Sequence, residues 1–540
     1  MPPDEATSSH GPTVEVDVVP LAAPIDPTAQ AREQYLGTRY DQRDMWRMGK
    51  RQELRRDFQF FSIWGYALIL SSTWEWGLVS GAFSLTNGGT AGGVWMFVVA
   101  CSGMFFVTLS MAEMVRRLRP RAHEQTRQRM LIRAQASMAP TSGGQYHWVS
   151  ELSPRRYQRV FSYVTGWFAL LGWQSALVGT AYGAGQQFEA IAALSMPTYE
   201  TKGWHGCLFT IALTGLAIPF NTALYRRLPQ AEGIVILLNI FGFMAVLVVL
   251  WVMAPRGGPE TVTAFETNGW DSVGLSCLVG LSSPIFVLIG ADAQCHLSEE
   301  LYNAAYVLPR AMVATSIINY LMGFVMVLTV MFTVGRRGQR PAHPARHAMG
   351  ADHVQRHGLI HRQHDLRMPG RLAAHMLLDQ QRHGSLATAM VRPGWDVPLN
   401  AMLCTFGICA VLSLFAIGSP VAWELLTSLP LVGLTSSYLL AIGCVFWRRL
   451  RGEPLPLSRF PLGRFGLVCN GVALAFLGVV WIFIFFPTAP DPGARGMNWA
   501  VVIYALVIIL FSAYFWKARK TYVGPVVYVR KDLDVGCTQD

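Results

Sequence analysis

The chain has 540 residues, of which 52% are hydrophobic and only 14% charged, where soluble domains carry about a quarter charged residues. A mean hydropathy of +0.32 therefore excludes an ordinary soluble enzyme and points to a membrane protein. The formal charge of +11 is read as Lys and Arg of cytoplasmic loops rather than as a nucleic-acid surface.

In chain order, residues 1–57 form a polar tail without the short apolar core and cleavage site of a signal peptide, read as disordered and cytosolic. Apolar runs, each near the ~20 residues that a bilayer requires, predict helices at 60–84, 91–114, 160–184, 205–223, 232–254, 272–291, 311–334, 398–418, 421–446, 466–486 and 498–516. Residues 521–540 form a second cytosolic tail. The nine Cys are scattered, several inside apolar runs (Cys101, Cys207, Cys404, Cys409), with no paired metal-ligand spacing, so no metal or cofactor is implied. Gly143 and Gly144 in TSGGQY are not a phosphate loop, because no Lys follows and no strand precedes. There is also no HExxH, no G-x-S-x-G elbow and no CxxC.

Charge orients the helices. Arg51, Arg55 and Arg56 place the start inside, which puts the basic loops 115–159 and Tyr225 to Leu228 inside and the acidic loop with Glu260 and Glu266 outside. An eleven-helix count then fails at the far end. It puts Arg448, Arg449, Arg451, Arg459 and Arg464 outside, together with Lys517, Arg519 and Lys520. An even count returns them to the cytoplasm, and the place for the missing helix is 336–391, rich in Arg, His and Gln and without period.

Within the spans, Glu75 and Asp292 are the ionisable residues closest to the middle of apolar runs. A charge there costs about 2.5–3.5 kcal/mol or more on insertion scales, so each requires a partner or a function.

Four stretches carry a family resemblance: SSTWEWGLVSGAFSLTNGG at 71–89, ASMAPTSGGQYHWVSEL at 136–152, GADAQCHLSEELYNAAYVLPRA at 290–311 and PGWDVPLNA at 393–401. They resemble the fungal amino acid/choline (4-aminobutyrate or choline) permeases of the amino acid/polyamine/organocation superfamily, over roughly residues 58–334 and 392–520. The resemblance implies an all-α integral membrane protein with an inverted-repeat transporter fold, five plus five helices and two more. Twelve helices are expected where about eleven are readable, and 58–520 is the permease domain. It also implies breaks in the first and sixth helices, whose exposed N–H and C=O groups hold solute or ion.

On that footing the expected substrate-binding residues are Ser71, Ser72, Thr73, Trp74, Glu75, Gly290, Ala291 and Asp292. The hydroxyls would meet a substrate carboxylate at the first break, or bond back to their own helix. Trp74 and Trp76 would wall a pocket or face a quaternary ammonium, or sit as interfacial tryptophans. Gly290 and Ala291 would let backbone approach ligand, or serve close helix packing. Asp292 would contact substrate amine or a coupling proton, or cap N–H groups; Glu75 has the same choice against a purely structural hydrogen bond. His296 would relay a proton or hold a helix end. Glu299 and Glu300 would form a cytoplasmic gate or ion pairs with Arg.

Two segments depart from the family. Val115 to Gln135 inserts 21 residues with seven Arg and is in frame; its first and last codons can supply GT and AG, so it is read as a retained intron. After Gly335, reading one nucleotide later permits STIFACLVVLLPTCSLINNVTAASRQLW up to Met390, an apolar span with a family-like ending. Met349 before Gly350 and Met390 before Val391 each force Trp in that frame. Residues 336–391 are thus read as a frameshifted segment replacing helix eight.

The functional expectation is a non-enzymatic, proton-driven secondary transporter of a small amino-containing solute in the lipid bilayer, at the plasma membrane by default or the vacuole, without nucleic acid. The rivals are a transporter-like solute sensor and a non-functional product of a faulty gene model.

Overall fold

In a computed structural model, the structure describes residues 60–115, 143–196, 198–222, 228–334, 399–414, 417, 422–453, 455, 462–519 and 522. The tail 1–57, residues 116–135, residues 336–391 and the C-terminal tail apart from Tyr522 lie outside the described residues. Described elements are helical: α1 Phe60–Ser71, α2 Thr73–Ser84, α3 Gly89–Met114, α4 Gln145–Leu152, α5 Gln158–Ser195, α6 Gly203–Thr222, α7 Leu228–Met253, α8 Val273–Gly280, α9 Ser282–Leu288, α10 Ala304–Val334, α11 Leu399–Ser413, α12 Ala422–Leu450, α13 Phe465–Phe483 and α14 Ala500–Ala518. Eight helical stretches among the described residues are long and apolar enough to cross a membrane. Many of their side chains face outward and are apolar, for example Ile234, Phe241 and Val252 on α7. Such faces suit lipid.

The first and sixth predicted spans are both interrupted. The first is α1 and α2, separated at Ser72; the sixth is α8 and α9, followed by a 3-10 helix over Ala293–Glu300. The two broken spans lie side by side, α2 against α9 and α1 against the 3-10 helix, with α10 packed along α1, α2 and α3.

The longest crossing is α5 on α12. Gly172 and Gly433 face each other there, and a Cβ on Gly433 would stand 2.6 Å from the Gly172 nitrogen. Only small residues let two backbones come so close. Further along, Gly179 lies against the carbonyl of Leu426, so the two helices run antiparallel.

Pairings at the two ends of the bundle settle the orientation of the far helices. At one end Gly88 N–H donates to Glu266 O (3.0 Å) and Gly257 N–H to Phe332 O (2.6 Å). Asn87 donates to Thr488 O (3.0 Å) and Thr488 Oγ1 to Glu424 Oε1 (3.1 Å) at the same end. At the opposite end Arg449 Nη2 donates to Glu113 Oε1 at 2.6 Å. The C-terminus of α12 therefore stands beside the C-terminus of α3, on the side that the sequence assigns to the cytoplasm. Arg448 and Arg449 thus stand at the same end of the bundle as Glu113.

Candidate functional site

The first break is made by local chemistry. Ser72 has φ +40°, outside helical geometry, and the serines turn back on α1: Ser71 Oγ donates to Ala67 O (3.0 Å) and Ser72 Oγ to Ile69 O (2.8 Å). Such hydroxyl bonds to carbonyls three or four residues back compete with the helical ladder and bend helices. The Ser72 carbonyl then accepts from Trp76 N–H (2.9 Å) and starts α2. Thr73 is fully buried, and its Oγ1 has no hydrogen-bond partner among the described residues. A buried hydroxyl in that condition costs about 1–3 kcal/mol, and a solute at the break would satisfy it.

The second break centres on Gly290, whose φ of +105° lies in a region that side chains disfavour. The Trp173 ring stands 3.3 Å from where a Cβ would be, so the position also demands a small residue. Asp292 follows, fully buried, and Ala293 N–H closes a turn onto Gly290 O at 3.0 Å.

Three donors converge on the Asp292 carboxyl. Tyr438 Oη of α12 donates to Oδ1. Gln145 Nε2 of α4 (2.5 Å) and Trp173 Nε1 of α5 (3.1 Å) donate to Oδ2. His296 Nε2, one turn on, lies 3.4 Å from Oδ2. A carboxylate accepts about four hydrogen bonds, so in this conformation the protein fills most of the capacity of Asp292. The ring of His296 packs against Gly144, where an added Cβ would come within 3.0 Å and where φ is +53°. The turn at Gly143 and Gly144 thus brings Gln145 onto Asp292.

Glu75 belongs to a separate group. Its Oε1 accepts from Asn239 Nδ2 of α7 (2.7 Å), and Asn239 Oδ1 accepts from Trp74 Nε1 (3.3 Å). Glu75 Oε2 is buried without a partner among the described residues. Trp74 is fully buried with Phe243, Val246, Leu250 and Met326, so its ring packs on α7. Trp76 instead meets Phe286 of α9 edge to face at 5.6 Å, bridging the upper halves of the two broken spans.

The structure thus brings Ser71, Ser72 and Thr73 to one break and Gly290, Ala291, Asp292 and His296 to the other. Glu75 and Asp292 bond to different elements. The side chains of Glu299 and Glu300 lie outside the described residues. Gln145, Trp173, Tyr438 and Asn239 were not singled out from the sequence. Asn239 carried a signal, an amide inside the apolar run LLNIFG, and Gln145 sits in a quoted family-like word. Among the described residues no group of three His, Cys, Asp or Glu could hold a metal ion.

Two apposed broken helices in an all-helical, multi-pass bundle define the class: a membrane protein with the inverted-repeat transporter fold. Residues 129–338 match the profile of a family described as amino acid permease. The chain is 25% identical over 514 residues to an uncharacterized amino-acid permease of Schizosaccharomyces pombe, covering 89% of each. It is 24% identical over 527 residues to amino-acid permease BAT1 of Arabidopsis thaliana, covering 89% of this chain and 95% of that one. To amino-acid permease 2 of Neurospora crassa it is 22% identical over 515 residues, 90% of each. The chain is thus similar, over most of its length, to proteins named as permeases rather than as enzymes.

Proposed function

We propose that the chain is a secondary active transporter of amino acids or related amines, 4-aminobutyrate and choline among them, driven by the proton gradient. Solute binds between the breaks at Ser72 and Gly290 to Asp292 and is exposed alternately to the two sides by rocking of one helix group against another. The observation that carries this reading is the apposition of the two breaks, with the buried Thr73 hydroxyl beside them left without a hydrogen-bond partner among the described residues. The backbone around Ser71, Ser72, Gly290 and Ala291 takes the solute, Glu75 takes the coupling proton, and Asp292 with His296, Glu299 and Glu300 governs the inner gate. The membrane is the plasma membrane.

The test is counterflow in proteoliposomes. Vesicles holding the full chain and loaded with unlabelled 4-aminobutyrate or choline accumulate the labelled solute transiently. A chain that binds these solutes without any counterflow is a sensor.

We further propose that Val115 to Gln135 is a retained intron and that residues 336–391 replace a helix through a frameshift. Support comes from the helix ends. Val334 lies near Phe332, which bonds the loop residue Gly257 at the outer end. α11 runs the same way as α10: Ser413, at its end, meets Cys207 (3.2 Å) at the start of α6, where Gly206 packs on Tyr182 and Glu189 of the outer half of α5. Leu399 thus begins at the inner end. An even number of helices requires one more between them, and the family resemblance expects it there.

A further inference from the structure

A cavity of about 70 Å³ opens at the outer end of the bundle, between the α2–α3 turn, α8 and α9, the start of α12 and the end of α13. That is room for a few waters or for an ammonium head group. Its lining combines one carboxylate, Glu424, with the hydroxyls of Ser282, Thr427 and Ser428 and the rings of Phe286 and Phe486. Among the described lining residues Glu424 is the one ionisable group. It accepts from Thr488 Oγ1 at 3.1 Å and forms no ion pair with a described Lys or Arg. The floor is Phe286, which rests edge-on against Trp76. Phe286 precedes Gly290 by four residues, about 6 Å along a helix, so the cavity sits one turn outside the break of the sixth span, with the Trp76–Phe286 pair between.

We propose that this cavity is an outer recognition site for the amino or quaternary ammonium group of the solute, with Glu424 supplying the counter-charge and Phe286 and Phe486 the aromatic faces. One carboxylate among hydroxyls and phenyl rings suits an organic cation, which gains from ring faces. A divalent metal asks for six or more oxygens, several of them carboxylate. The hydroxyls accept hydrogen bonds from a primary ammonium, and the rings accommodate a methylated one. The site rests on the transporter reading for its purpose, as the antechamber from which solute passes the Trp76–Phe286 pair to the breaks.

The test reads binding directly. Ser282→Cys is introduced into the full chain in nanodiscs, and its reaction with a water-soluble methanethiosulfonate is followed against the parent chain with its native cysteines. Choline slows the reaction, and its uncharged isostere 3,3-dimethylbutan-1-ol does not. Adding Glu424→Gln raises the choline concentration needed for protection about fivefold to tenfold, the scale of one partly buried charge contact, and Glu424→Asp restores most of it. Equal protection by choline and the alcohol overturns the proposal, as does protection that persists in Glu424→Gln at an unchanged choline concentration. If Glu424→Gln fails to give a monodisperse protein, the choline-to-alcohol comparison and Glu424→Asp decide. Protection without counterflow sinks the transporter reading alone; counterflow without protection sinks the antechamber alone.

Discussion

Arg449, near the end of α12, donates to Glu113, near the end of α3, at 2.6 Å, and each side chain is only 10% exposed. The backbone N–H of Leu462 donates to the same Glu113 oxygen at 3.1 Å. Removing one partner of a buried pair strands the other charge and costs about 3–5 kcal/mol. Glu113→Ala and Arg449→Ala are each expected to lower the unfolding temperature of the detergent-solubilised protein markedly. The double substitution is expected to be less damaging than the sum of the two, since neither charge is then left alone. Additive losses would show that the pair is not coupled.

The Asp292 hub joins the 3-10 segment of the sixth span to α4, α5 and α12. Tyr438→Phe removes one donor to a buried carboxylate and is expected to cost about 1.5–3 kcal/mol. Gln145→Leu removes another. If the hub holds the inner side closed, both variants bind solute but lose the difference between inward-facing and outward-facing accessibility. Measured by thiol labelling at Ser298→Cys, the rate is expected to rise in each. An unchanged rate in both would leave Asp292 a structural anchor only.

Glu75→Gln keeps the shape and the Asn239 contact while removing the group able to carry a proton. Around it α7 offers Asn239, Phe243 and Val246 and α10 offers Met326, none of them ionisable in the relevant range. Uptake driven by an acid-outside gradient is expected to fall to the level seen without a gradient, while counterflow persists. Gradient-driven uptake equal to that of the parent chain would move the coupling role elsewhere.

How much of this was legible differs by element. Apolar runs gave the spans, because a bilayer fixes their length whatever they pack against. α5 runs to Ser195, well past the predicted end at 184, because GAGQQFEAIAALS is helical without being apolar enough to read as membrane. The kink at Ser72 has no mark in hydrophobic periodicity; it entered through family-like words. The hub was illegible for a different reason: Trp173 lies 119 residues and Tyr438 lies 146 residues from Asp292. Only packing brings such distant donors to one carboxylate.

The crossing of α5 and α12 makes a sharper demand than any single hydrogen bond. Gly433 faces the backbone of Gly172 and the carbonyl of Phe168, with less than 3 Å left for a Cβ in both directions. Overpacking a fitted contact costs about 1–3 kcal/mol, and here the obstacles are main chain, which cannot turn aside as a flexible side chain can. Gly433→Val is expected to separate the helices, lower the unfolding temperature and weaken the Tyr438 contact one turn further along α12. Gly443→Val, on the same helix with nothing within 4 Å of its Cβ position, is the control and is expected to be tolerated. Equal stability of the two variants, measured by fluorescence-detected size exclusion after heating, would mean that α5 and α12 are not in contact in the bilayer.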